Sequence, residues 1–178
     1  MIIEQLKQQN LHEYCELQLA IDSTSSFMDY DADERIDTLQ DLLNSRFKNG
    51  NSIFLVAKQS NRLVGYGEIH GMKTKKKKHV CWALGGFIPC FQSQGFGSKM
   101  LSSILDHAAK KWRRLDVTVM DGNIKSVKLL KSFGFQEEGK RHKAIHHDGK
   151  YYDEIYLGID LKKWRQGRVS KSTTKSIR

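Results

Sequence analysis

The chain has few cysteines, no long apolar run and no metal-ligand spacing. The three cysteines, Cys15, Cys81 and Cys90, are an odd number with no paired spacing. That pattern argues against a disulfide frame or a zinc site and reads as reduced cytosolic thiols. No apolar run approaches the length of a spanning helix, and the first residues lack the basic and apolar regions of a signal peptide. The expected location is therefore the cytoplasm, with no membrane partner. The seven histidines fall at no metal-ligand spacing, so no metal is expected. Acid is missing from the C-terminal end: residues 162–178 hold seven of the 30 Lys and Arg residues and no Asp or Glu. They supply +7 of the formal net charge of +10, leaving +3 for the rest. A charge confined to a chain end and to one turn, Lys73 and Lys75–Lys78, reads first as solvated surface. Nucleic acid is accordingly not the expected partner.

What is present is enough for one domain with a real core: 178 residues, 39% of them apolar. We read residues 1–161 as that domain and 162–178 as a basic tail. Met1–Leu6 is a short strand. Asn10 is placed to cap a helix to about Ile21, with Leu11, Tyr14, Cys15 and Leu19 at helical spacing. A loop, Ser23–Tyr30, precedes a second helix from about Ala32 to Lys48, closed by Gly50. Three strands follow, Ser52–Lys58, Leu63–His70 and His79–Ile88. The second is interrupted by Gly65 and Gly67, and the third carries Gly85-Gly86, which suggests a bulge or a close backbone approach. Met100, Leu101, Ile104, Leu105, Ala108, Ala109 and Trp112 form one wide apolar stripe on a helix. Leu115–Met120 alternates as a strand. Asn123 opens a short helix whose apolar positions are Ile124, Val127, Leu130 and Phe133, ending at Gly134. Lys140–His146 and Tyr152–Ile159 read as a hairpin about Asp148-Gly149. The order is that of a mixed α/β layer with helices on both faces of one sheet.

The segment from Phe87 to Trp112 carries the most chemistry. A strand, a loop with Gly95 and Gly97 and a helix start follow one another without a spacer. The first turn of a helix has amides with no intrahelical partner and the positive end of the peptide dipole. Glycine lets a large anion approach that backbone, so the loop is a candidate cradle for phosphate or pyrophosphate. It is not a P-loop, because Gly97 is followed by Ser98-Lys99 rather than Lys-Ser. It is not a dinucleotide fingerprint either, because Met100 stands where the third glycine belongs. It does fit Gln/Arg-x-x-Gly-x-Gly/Ala, as Gln92-Ser93-Gln94-Gly95-Phe96-Gly97. Taken alone, the hexamer also describes an ordinary strand–helix turn.

With that loop and the segment Asn123–Phe135 in place, the chain resembles the GNAT superfamily of N-acetyltransferases up to about residue 161. Gln92-x-x-Gly95-x-Gly97 matches the family's acyl-CoA pyrophosphate signature, and Asn123 followed by a helix ending in Gly134-Phe135 matches its later segment. The hairpin Asp148–Asp153 is similar to the branch containing ribosomal-protein N-terminal, polyamine and small-molecule acetyltransferases. The resemblance implies a mostly antiparallel sheet with a splayed central strand pair, His79–Phe87 and Leu115–Met120, holding acetyl-CoA as co-substrate. The pantetheine arm would run along Phe87 and Ile88. The loop Gln92, Ser93, Gln94, Gly95, Phe96, Gly97 and Ser98 would hold the pyrophosphate through its amides, and Asn123 and Ser126 would lie on the cofactor side. Asn123 also suits a helix N-cap. One departure stands out. The family often has a tyrosine at the position of Leu130, donating a proton to the leaving thiolate. Leucine cannot do this. Either another group such as Ser126 serves, or the thiolate, from a thiol of pKa ~8.5, leaves unassisted.

Acyl transfer to an amine needs a neutral nucleophile, and an alkylamine has a pKa of ~10.4, so a base helps near neutral pH. It also needs donors for the developing oxyanion, for which the Phe87 or Gly86 amide is the simplest choice. For the base, Glu68 and His70 share one strand face at spacing two. An ordinary strand-end role for His70 stays open beside this, as does a simple buried partner for Glu68. The resemblance places the acceptor site at the two N-terminal helices and the final hairpin, making Phe27, Asp29, Tyr30, Glu34 and Tyr152 its candidate wall. The acidic stretch Asp29, Asp31, Asp33, Glu34, Asp37 and Asp41 suits a cationic primary amine, a small molecule or a protein N-terminus. It suits helix capping equally well. Two further readings remain open: an acyl-CoA sensor without turnover, motivated by Leu130, and a homodimer, since members of the superfamily are often dimeric.

Overall fold

The computed structural model describes residues 1–27 and 50–166. The predicted second helix, the whole acidic stretch with Asp29 and Glu34, and Tyr30 lie outside them. The described elements are β1 (Ile2–Gln5), α1 (Leu11–Asp22), β2 (Ser52–Gln59), β3 (Arg62–Gly71), β4 (Val80–Phe87), α2 (Phe96–Lys111), β5 (Arg114–Met120), α3 (Ile124–Ser132), β6 (Gln136–His147) and β7 (Lys150–Asp160). The strands form one seven-stranded sheet in the order β1-β2-β3-β4-β5-β7-β6. β4 and β5 run parallel, and the pairs β1–β2, β2–β3, β5–β7 and β6–β7 are antiparallel. The β4–β5 ladder pairs only Val80–Trp82 with Arg114–Asp116, although β4 continues to Phe87 and β5 to Met120. Among the described residues, no helix is long and apolar enough to cross a membrane.

The chain divides into two compact units. The first joins Met1–His70 with Ala83–Ile104. Its core packs Leu11, Tyr14, Cys15, Leu17 and Ile21 of α1 against Phe54 and Val56 of β2 and Leu63 and Tyr66 of β3. Asn10 sits at the helix start without capping it: its side chain makes no cap bond and its amide instead faces Glu13. Glu13 is itself engaged by the Leu63 amide at 3.1 Å. β2 and β3 are joined at Ser60-Asn61, both in the left-handed region (φ 48° and 65°), the backbone that a tight two-residue hairpin requires. The glycines that interrupt the alternation are explained by close approach. A Cβ on Gly65 would lie 2.3 Å from the Phe87 ring, and one on Gly85 would lie 2.5 Å from the Tyr66 carbonyl oxygen.

The second unit joins Gly71–Trp82 with Leu105–Arg178. Its lysine cluster is more ordered than a plain turn, since Lys75–Lys77 form one 3-10 turn. Leu115, Phe135, Leu157 and Leu161 are buried in this unit. The hairpin turn is Asp148-Gly149 as expected, with φ 49° and 71°. β6 lies at the sheet edge and is exposed along most of its length. Its register slips between Arg141 and Ile145, where Lys143 has φ 52°. A bulged, lysine-bearing edge resists pairing with other chains. Of the apolar positions of α3, Leu130 is buried and Ile124, at the first position of the helix, is 63% exposed. Residues 161–166 are helical, and Arg165 donates to the Ala109 carbonyl at 3.0 Å.

Because the obstacle at Gly85 is backbone, it cannot rotate aside. Gly85→Ala is expected to lower stability by about 1–3 kcal/mol through overpacking. Gly139→Ala, where a Cβ meets nothing within 4 Å, is expected to stay within about 0.5 kcal/mol. Urea midpoints of the two variants check this, and equal midpoints would contradict the packing assignment.

Candidate active site

In the first unit, β4 delivers the chain into the glycine loop. The Ile88 amide donates to the Val64 carbonyl at 3.1 Å, anchoring the strand end to β3. Pro89–Phe91 then make one 3-10 turn. Ser93 and Gly95 adopt positive φ, 59° and 79°, and redirect the chain into α2. The α2 bond nearest the loop is Lys99 N–H to the Gly95 carbonyl. The amides of Phe96, Gly97 and Ser98 therefore fall in the turn that has no intrahelical acceptor. Gln92, Ser93, Gln94, Gly95 and Ser98 are exposed, and a Cβ on Gly95 would meet nothing within 4 Å. The loop surface is open to a large anion. The first turn of α2 carries no acid to repel it. An acyl-CoA pyrophosphate thus fits the residues present.

Both glutamine side chains of the motif are engaged within the loop. The Gln92 side chain donates to the Phe87 carbonyl at 3.0 Å, and the Gln94 side chain donates to the Cys90 carbonyl at 2.7 Å. Both brace the loop from within. The Phe96 ring packs between Phe87 and Phe91, with centroids 6.3 and 6.2 Å away. Phe87 itself is buried.

Glu68 and His70 do come together. Glu68 is 1% exposed and His70 5%. The His70 Nε2 lies 2.6 Å from Glu68 Oε2. Glu68 Oε1 accepts from the Tyr14 hydroxyl at 2.7 Å and from the Gln18 amide at 2.6 Å. On its other side the imidazole meets Ser52, with Nδ1 and Oγ 2.8 Å apart. Phe54 presents an edge to the imidazole at 5.7 Å between centroids. A buried carboxylate that receives two donors and faces a third nitrogen is stabilised in its ionised form. Neither Glu68 nor His70 is an open surface base; both are enclosed. Tyr14 was legible only as one apolar position of α1, and Gln18 and Ser52 gave no signal of their own. Gln18 stands one helical turn beyond Tyr14, which is the trace that a shared polar partner could have left.

In the second unit, the Asn123 side chain accepts from the Ser126 amide at 3.2 Å and caps α3. Leu130 is buried, and Gly134, with φ 96°, ends the helix as Phe135 N–H returns to the Leu130 carbonyl at 3.2 Å. Tyr152, half-buried, stands opposite Ile145 in the terminal hairpin. Phe27, in the first unit, is 44% exposed. The cysteines are all free. Burial pushes the Cys81 thiol up to about 12, which keeps it inert.

A family model described as an acetyltransferase (GNAT) domain matches residues 3–156. The chain belongs to the GNAT acetyltransferase family, a class of acyl-transferring enzymes. It is 24% identical over 118 residues to the uncharacterized N-acetyltransferase YnaD of Bacillus subtilis, covering 65% of this chain and 68% of that protein. Its fold is similar to that of a GNAT-family acetyltransferase from Streptococcus pneumoniae, with a TM-score of 0.82 at 22% identity over 89% of this chain and 98% of the other. It is also similar to yncA from Salmonella typhimurium, solved with its cofactor acetyl-CoA, with a TM-score of 0.77 at 18% identity over 90% and 94%.

The cap makes one outcome specific. Asn123→Ala is expected to cost about 1 kcal/mol in stability, with Asn123→Ser keeping most of it. Thermal unfolding of the pair checks this; an alanine variant as stable as the wild type would show that the capping bond contributes nothing.

Proposed function

We propose that the protein moves an acetyl group from acetyl-CoA to a primary amine by direct transfer in a ternary complex. The observation that carries this reading is the open loop at Gly95 and Gly97, leading into a helix start whose first amides have no intrahelical acceptor, in a chain of the GNAT family. The acetyl-CoA bound to the yncA neighbour supports the same choice of co-substrate. The amides of Gly95, Phe96, Gly97 and Ser98 hold the pyrophosphate, with Gln92, Ser93 and Gln94 shaping the turn. The backbone of Phe87 and Ile88 lies along the pantetheine, and the Phe87 amide, or that of Gly86, receives the acetyl carbonyl oxygen as it gains charge. Asn123 and Ser126 belong to the cofactor side. Glu68 and His70 form the basic pair that takes the proton from the amine. The acceptor is a cationic small molecule or a protein N-terminus, a choice supported by the acidic stretch from Asp29 to Asp41. Phe27, Asp29, Tyr30, Glu34 and Tyr152 form its wall. The work is done in the cytoplasm.

Leu130 supports a second reading. A buried leucine where the family often has a tyrosine leaves no acid for the thiolate at that place, as in an acyl-CoA sensor without turnover. Mixing the protein with acetyl-CoA and a panel of polyamines, aminoglycosides and peptides while following free thiol decides between them. Release of CoA with an amine supports the enzyme; saturable binding without release supports the sensor.

Two variants test the parts. In a helix, valine has no worse propensity than glycine, so Gly97→Val is expected to keep the fold. It is expected to weaken acetyl-CoA binding by about tenfold or more, equivalent to ~1.4 kcal/mol. Calorimetry reads this directly, and unchanged affinity would remove the cradle. Glu68→Gln keeps an acceptor for Tyr14 and Gln18 but no charge to balance an imidazolium. Turnover is expected to fall most on the acidic side of the pH profile, where the amine is hardest to deprotonate. A profile of wild-type shape would dismiss the pair as the base.

A further inference from the structure

The two members of the basic pair are too enclosed to meet an acceptor themselves, yet among the described residues bonded to them one, Ser52, is less buried. Ser52, at the start of β2, is half-buried, whereas Tyr14, Gln18, Glu68 and His70 are buried. We infer that Ser52 is the proton entrance of a relay, Ser52–His70–Glu68, with Tyr14 and Gln18 as positioning residues that hold Glu68. This deepens the basic role assigned to Glu68 and His70 and rests on it.

The direction of the relay follows from donor and acceptor chemistry. An ionised carboxylate only accepts, and Glu68 Oε1 already takes the Tyr14 hydroxyl and the Gln18 amide. Oε2 faces the His70 Nε2 at 2.6 Å, so in neutral His70 the hydrogen resides on Nε2. Nδ1 is then bare and accepts the Ser52 hydroxyl hydrogen across 2.8 Å. When an acceptor ammonium gives a proton to Ser52 Oγ, the hydroxyl's own hydrogen passes to Nδ1. The products are a neutral amine, an intact serine and an imidazolium beside the Glu68 carboxylate. The imidazolium later returns its proton through Ser52 to water. Among the described residues, Glu68 on β3 bonds the imidazole directly, Tyr14 and Gln18 on α1 bond Glu68, and α1 also carries a buried acid, Asp22, one turn past Gln18. From β2, Ser52 and Phe54 face the imidazole.

The test uses the full chain and two readouts. Nitrogen-15 NMR of the imidazoles, with His70→Asn to assign the signal, is expected to show neutral His70 protonated at Nε2. A hydrogen on Nδ1 would overturn the relay whether or not the protein turns over. In kinetics, Ser52→Ala is expected to lower kcat/KM for the amine by about 10- to 100-fold, most at low pH. The dissociation constant for acetyl-CoA should not change, and Ser52→Thr should restore most of the rate. Tyr14→Phe is expected to move the acidic limb of the profile while leaving acetyl-CoA affinity alone. A Ser52→Ala enzyme with the wild-type pH profile would overturn the relay while leaving the acetyltransferase standing. A wild-type protein that acetylates no amine in the panel would instead overturn the proposed function.

Discussion

A carboxylate taken out of water must be given hydrogen bonds or it will not stay ionised. Glu68, 1% exposed in the middle of β3, is under that constraint, and much of the first unit is arranged around it. Desolvation alone costs several kcal/mol for an unpaired ion. Here it is offset by a phenol, an amide and an imidazole at 2.6 to 2.7 Å. Two of those donors come from α1, so satisfying the charge also fixes the helix on the sheet. The apolar contacts of Tyr14, Phe54 and Tyr66 then close around the polar cluster. An apolar core would have been simpler. Burying an acid beside a histidine makes sense where a proton has to be moved.

The loop at Gly95 solves the opposite problem, keeping polar groups open. Its side-chain amides are turned inward on the Phe87 and Cys90 carbonyls, while the amides of Phe96, Gly97 and Ser98 fall in a first helical turn with no intrahelical acceptor. Positive φ at Ser93 and Gly95 redirects the chain into that turn. No acid lies in the first turn of α2, so the helix dipole acts undiminished on an anion. The enclosed pair and the open loop thus differ in what they could serve in the proposed reaction: the one suits a proton, the other a charged carrier.

Local features were legible in the residues. The Gln92–Gly97 loop, the Asp148-Gly149 turn, the cap at Asn123 and the stop at Gly134 all depend on backbone preferences acting over a few positions. The pairing of Glu68 with His70 was visible for the same reason, as alternation along one strand. Asn10 was misjudged because a residue suited to capping found another partner in Glu13.

Short-range pattern by itself determined the glycine loop and the order of the described elements, since each is encoded by neighbours a few bonds apart, and the motifs at Gln92–Gly97 and Asn123–Phe135 carried the resemblance to the family. Tertiary structure alone decided what surrounds Glu68. Tyr14 lies 54 positions from it, and Ser52 lies 18 from His70. It alone showed why Gly65 and Gly85 must lack side chains, through the Phe87 ring and the Tyr66 carbonyl. Those neighbours are chosen by strand register and by the face on which a helix lands. A one-residue slip in register would turn each of these side chains to the opposite face.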